Sequence, residues 1–241
     1  MKNLGELKTR IAEYLDREDL TDDIPQFIRL AETKIYRKLR TRENEFTLQI
    51  TEATIPEPLS PIALPQNFRE FKLVTLNDMP VTNVSVQRFK TILAAGYNGA
   101  QTFFTTIERE LHLYPWPTTT PDPWEAFNLE VVYYGTESIV DMATWDTAAN
   151  PNQVPESDGT PSTTSMRGDD ATTRLFLVAP DLYLYGALAE AYTYLLMPES
   201  AIMWGGSFSA VLAELKTEHD LAEFSGGTTS INNIYGDGAF A

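Results

Sequence analysis

The chain has 241 residues, 43% of them hydrophobic, and carries a formal net charge of -16 from 18 Lys/Arg and 34 Asp/Glu, with no cysteine and two histidines. This composition excludes disulfides, thiolate nucleophiles and thiolate metal sites, leaves His112 and His219 without enough companions for a metal site, and disfavours reading nucleic acid through a basic face. The length suits one large domain or a core domain with long extensions; no stretch approaches the ~20 apolar residues of a membrane span and the charged start is no secretory signal, so a soluble chain used in the cytoplasm is expected.

Apolar residues at Leu4, Leu7, Ile11, Tyr14 and Leu15 fall on one helical face and predict a helix over about 4–16. A second helix follows from Ile24, Phe27, Ile28, Ala31, Ile35 and Leu39, with Pro25 tolerated in its first turn. The two are expected to pair as a helical hairpin over residues 1–45. Those residues hold ten Lys/Arg and ten Asp/Glu, so the whole net charge of -16 belongs to residues 46–241.

From Phe46 the pattern changes to short runs rich in Thr, Val, Ile and Phe, predicting strands over 46–53, 68–76, 102–107, 110–114 and 127–134. TIERELHLYP reads as a hairpin turning near Glu108 and Arg109, with Phe104, Ile107, Leu111 and Leu113 available to one side. VSVQRFKTILAA, residues 84–95, reads as a short helix ended by Gly96. Residues 136–173 are dominated by Thr, Ser, Pro, Asp, Asn and Gly, with Trp145 the one aromatic, and are expected to be a long surface insertion. Helix returns at Pro180, with Tyr185, Leu188, Ala189, Tyr192, Leu195 and Leu196, and stops at Pro198. A last helix over about 199–223 carries Trp204, Phe208, Val211, Leu212, Leu215 and Ala222, weakened early by Gly205 and Gly206. The expected fold is α+β: a helical bundle formed by the N-terminal hairpin and the C-terminal helices, with a projecting small β region.

The chain has no G-x-S-x-G elbow, P-loop, G-x-G-x-x-G or H-E-x-x-H. Glu108 and Glu110 have the residue type for glycoside hydrolysis, but among 34 acids such a pair is ordinarily a solvated strand or turn feature. His112 is expected to point away from Leu111 and Leu113, toward solvent or a neighbour, and His219 to sit favourably near a helix C-terminus. Lys34, Arg37, Lys38, Arg40 and Arg42 form a cationic run with two open readings. It is either a solvated face complementing the helix dipole or a patch that docks on an acidic partner, the nearest being a second copy of the chain. After Ser225 a Gly-rich tail carries Ile231, Ile234, Tyr235 and Phe240, and reads equally as plain disorder or as an arm that orders on a partner. Trp116 and Trp124 in PWPTTTPDPW read as own-domain packing or as stacking platforms for a glycan.

The opening LGELKTRIAEYLDREDLTDDIPQFIRLAETKIYRKLRTRENE, the phrase IALPQNFREFKLV with Leu64, Pro65 and Phe68, and TRLFLVAPDLYLYGALAEAYTYL with Ala179 to Leu188 together resemble the head-to-tail adaptor proteins of tailed phages, the short-tailed type above all. The resemblance implies a non-enzymatic virion protein without cofactor, in about a dozen copies forming a ring around the DNA channel. The portal ring would lie above it and a tail tube or nozzle protein below, without membrane contact, after assembly in the host cytoplasm. Residues 1–224 would be the adaptor domain, divided at 1–45, 46–135, 136–173 and 174–224, and 225–241 a C-terminal arm reaching the portal. The 136–173 insertion is longer than the family pattern suggests, and a tail fibre or neighbouring tail protein is its candidate contact. A phage-tail cell-wall glycosidase and a glycan-binding module are the competing readings.

Overall fold

The computed structural model describes residues 1–51, 61–99, 101–115, 128–144 and 168–224. Among these residues the chain is α+β, with seven α-helices and two four-stranded sheets. Helix α1 (Leu4–Leu15) begins where the Asn3 side chain accepts the Glu6 N–H, buries Leu4, Leu7, Ile11 and Leu15, and stops at Asp16 in the left-handed region. Helix α2 (Ile24–Lys38), with its proline in the first turn, buries Ile24, Phe27, Ile28, Ala31 and Ile35.

The β region is two sheets around a shared core. One sheet has the order β1 (Glu45–Thr51), β8 (Asn128–Gly135), β3 (Phe68–Leu76), β4 (Met79–Pro80); the other has β2 (Ile62–Ala63), β7 (Glu110–Tyr114), β6 (Phe103–Ile107), β5 (Thr82–Asn83). Phe46, Ile50, Val74, Leu129, Val131 and Tyr133 of the first sheet pack with Ile62, Leu64, Phe104, Leu111 and Leu113, most of them from the second. Strict alternation in β8 supplies Leu129, Val131 and Tyr133 to that core, as a strand with one covered face requires. The β6–β7 hairpin turns at Glu108 and Arg109, with Glu108 at φ 58°. Arg109 clamps the turn to the carbonyls of Pro65 and Gln66 at 2.9 and 2.7 Å. Helix α3 (Val86–Ala94) is capped by Ser85 and followed by Gly96 at φ 62°.

His112 differs from expectation. Its ring meets Phe89 of α3 edge-on at 6.5 Å, and its Nε2 is shielded without a hydrogen-bond partner among the described residues. The strand does turn it away from the leucines, but α3 covers that side of the sheet.

The C-terminal helices organise the other core. After α4 (Ile139–Thr144) and α5 (Arg174–Val178), helix α6 (Pro180–Tyr194) buries Leu182, Tyr183, Leu184, Gly186, Ala187, Leu188 and Ala191. It is apolar almost all round, the mark of a helix wrapped by others. The expected pairing of α1 with α2 is therefore secondary: the two touch sparingly, and each lies chiefly on α6. Helix α7 (Pro198–Phe224) adds Phe208 and Leu212 to the same core, with Trp204, Val211 and Leu215 partly buried against it. Ala222 is not among them. At Gly186 the packing leaves no room, since a Cβ there would lie 2.8 Å from the Ala31 Cβ and 3.1 Å from the Phe208 ring.

The span expected as a surface insertion is held by this core at both ends. Ile139, Val140 and Ala171 are buried in it, Leu4 N–H donates to the Ala171 carbonyl at 2.8 Å, and Lys8 pairs with Asp169 at 2.9 Å. Two adjacent apolar residues and one alanine are too short a pattern to register as periodicity in a polar background. Residues 145–167 lie outside the described residues.

Between α6 and α7 the chain turns at Leu196, whose φ is 56° and whose side chain is 87% exposed. A Cβ in that conformation is strained and this side chain gains little from packing, so Leu196→Gly is expected to stabilise the protein by ~1 kcal/mol. A shift in the urea midpoint at unchanged slope checks it.

Candidate interaction surface

Helix α2 buries one face on α6 and turns the other outward, with Arg29, Leu30, Thr33, Lys34, Arg37 and Lys38 all exposed. The cationic run is thereby divided. Lys34 pairs with Glu190 of α6. Arg40 donates to the Tyr36 and Leu39 carbonyls at 2.9 and 3.0 Å, closing the C-terminus of α2, and to Glu70 of β3 at 2.9 Å. Arg37, Lys38 and Arg42 make no ion pair among the described residues.

Beside Arg37 a cleft of about 400 Å³ is lined by Arg29, Arg37, Arg69, Asp141, Thr33, Tyr36, Thr136 and Ser138, with Glu32 at its floor. Glu32 is 3% exposed, and its burial raises its pKa from 4.5 to about 7, against the pull of its hydrogen bonds. Ser138 Oγ and the Ile139 N–H each donate to it at 2.7 Å, one to each carboxylate oxygen. Ser138 in turn accepts the Asp141 N–H at 3.2 Å, and Arg29 pairs with Asp141 at 2.7 Å. Glu32 therefore caps α4 and binds it to α2; both its oxygens are occupied, and neither is presented to a substrate. Deeper, Tyr36 donates to the Glu137 carbonyl and faces Tyr183, whose hydroxyl lies 3.2 Å from Thr173 Oγ1.

Glu32, Ser138 and Arg69 were not singled out in the sequence. The signal for Glu32 was available, because it stands four residues after Ile28 and three before Ile35, on the apolar face of α2.

A second outward surface is apolar. Tyr194, Leu196, Met197, Ile202 and Met203 are exposed around the α6–α7 corner, beside a shallow hollow of about 530 Å³ lined by Leu196, Met197, Pro198, Ala201 and Ile202. Exposed apolar clusters of this kind commonly mark contacts with other proteins.

The residues considered for catalysis do not converge. Glu108 and Glu110 are exposed at the β6–β7 turn, Glu110 lying 3.9 Å from His112 Nε2. His219 is buried on α7, five residues before the helix ends. No group of three or more His, Cys, Asp or Glu fit to hold a metal occurs among the described residues, and no helix there is long and apolar enough to cross a membrane. Trp116, Trp124, Ile231, Ile234, Tyr235 and Phe240 lie outside the described residues. The phrases carrying the family resemblance prove to be packing elements: Leu64 is buried, Phe68 meets the Phe71 and Tyr133 rings at 4.5 and 5.5 Å, and Ala179 to Leu188 open the central helix.

A family model described as SU10 adaptor protein matches residues 2–230 of this chain. No curated protein matches it.

Proposed function

Since the chain belongs to the SU10 adaptor protein family and is thus a bacteriophage adaptor and virion component, we propose that it is a structural head-to-tail adaptor, one subunit of a ring that joins the portal to the tail and surrounds the DNA channel. The family match over residues 2–230 is the observation that carries the reading. In it, the helical core is a bundle from which the β region projects, and the tail bearing Ile231, Ile234, Tyr235 and Phe240 is the arm that reaches the portal. About twelve copies would close the ring by a heterologous contact. A tail tube or nozzle protein would take the lower side, and the 136–173 insertion would meet a tail fibre or a neighbouring tail protein.

Two structural facts favour this over an enzyme or a glycan-binding module. Among the described residues the carboxylate with the largest shift, Glu32, is consumed in capping α4, and the outward surfaces include a cationic helix face and an apolar corner. The net charge of -16 also suits a channel wall past which DNA slides without adhering.

Mixing the protein with the portal ring of its own phage is expected to give a stacked complex, seen as a mass increase by light scattering and as a second ring by electron microscopy. An intact portal that leaves the protein unbound and monomeric would overturn the adaptor reading.

A further inference from the structure

Resting on the ring reading, we propose that neighbouring copies meet through the outward face of α2 in one copy and the outward face of the C-terminal half of α7 in the next. Each face lacks on its own molecule what the other supplies.

The α2 face is cationic and has no acid of its own. Glu32 is the one Asp or Glu between Ile24 and Lys38, and it points inward to cap α4. Arg29 and Lys34 are engaged by Asp141 and Glu190, which leaves Arg37 and Lys38 without an ion pair among the described residues. Arg69 of β3 joins them at the cleft, where burial and then repulsion from Arg40 and Arg37 hold its guanidinium below its usual pKa. With Asp141 and Glu70 already paired to Arg29 and Arg40, the remaining like charges beside the open cleft are stabilised by a carboxylate that arrives from outside.

The α7 face has the opposite character. Phe208 and Leu212 turn to the core, while Glu214, Thr217, Glu218, Asp220 and Leu221 are exposed, with Lys216 the one cation on this stretch. Glu214, Glu218 and Asp220 make no ion pair among the described residues.

The spacing on the two helices also matches. Leu30, 42% exposed, and Arg37 are two turns apart on α2; Glu214 and Leu221, 67% exposed, are two turns apart on α7. Both separations are ~10 Å along the axis. Laid antiparallel, the helices set Leu30 against Leu221 and Arg37 against Glu214, so one apolar and one ionic contact form together. DNA offers the charge but not the apolar partner, and a second copy offers both. Because the two faces are different surfaces of one molecule, the contact is heterologous and repeats around a ring.

The test reverses each face separately and then mixes the products on the portal. Arg37→Glu with Lys38→Glu gives a chain acidic on both faces, and Glu214→Lys with Glu218→Lys a chain basic on both. Each variant alone is expected to form at least ~10-fold fewer portal-bound rings than the wild type, and an equimolar mixture to return within about threefold of it. All four positions are exposed, and an unchanged melting curve establishes that each variant is folded. A chain carrying Arg37→Cys and Glu214→Cys, with no other cysteine present, is expected to give a ladder of disulfide-linked multimers on the same portal.

Rings formed normally by either reversed variant, or a mixture that fails to recover, would overturn the α2–α7 contact and leave the ring reading standing. A wild type that forms no ring on the portal would overturn both.

Discussion

Gly186→Leu is expected to destabilise the protein by about 3 kcal/mol, the upper part of the range for overpacking a well-filled core. The cause is steric. A Cβ at this position would stand 2.8 Å from the Ala31 Cβ and 3.1 Å from two atoms of the Phe208 ring, so α2 and α7 both press on α6 at one point. Relief requires either helix to move outward, which opens the contacts of Ile28, Ile35 and Leu212 in the same cluster. Gly206→Leu is the control, because nothing lies within 4 Å of the side chain it would begin. That substitution should be neutral or stabilise by ~0.5–1 kcal/mol through the higher helix propensity of leucine. Urea unfolding of the pair separates crowding from helix propensity, and equal midpoints would refute the crowding argument.

The second large effect is a pH dependence centred on Glu32. Burial raises its pKa from 4.5 to about 7, so the folded protein favours the protonated form more than the unfolded chain does. The stabilisation from that difference is fully present below pH 4.5, is lost as the pH rises through about 7, and stays lost above it. A shift of this size corresponds to ~3 kcal/mol at 1.36 kcal/mol per unit. Glu32→Gln removes the titration while retaining an oxygen to accept the Ile139 N–H and an amide to meet Ser138. The variant should therefore match the wild type near pH 5 and exceed its stability at pH 8, as read from unfolding midpoints at both values. Glu137, whose pKa is also raised by burial, adds a dependence of the same sign that the substitution leaves in place. A wild type and variant with parallel stability profiles would show that Glu32 does not titrate in this range.

Periodicity carried much of the fold. α1, α2, α3, α6 and α7 and the strands β1, β3, β6, β7 and β8 all fall within a few residues of where the apolar spacing puts them. Strands of two residues, such as β2 at Ile62–Ala63 and β5 at Thr82–Asn83, were not legible, because a pair of residues has no period. The central place of α6 was legible in part: its apolar residues identified a helix, but that they surround it, and so draw α1 and α2 onto it, depends on tertiary contacts. Of the cationic run, the spacing located every residue and could not separate Lys34 and Arg40, held by Glu190 and Glu70 from distant segments, from Arg37 and Lys38. Arg69 reaches the same cleft from β3, a juxtaposition that chain order alone does not contain.

On either side of residues 145–167, α4 and Gly168–Asp170 lie against each other and against α1. Closing a loop on so fixed a base depends only logarithmically on its length. A neutral sequence inserted between Thr144 and Gly168 is therefore expected to shift the unfolding midpoint little, since each doubling of a closed segment costs only ~0.6 kcal/mol. The paired α4 and Gly168–Asp170 are thus a graft site, at which added sequence leaves the contacts of the helical core in place.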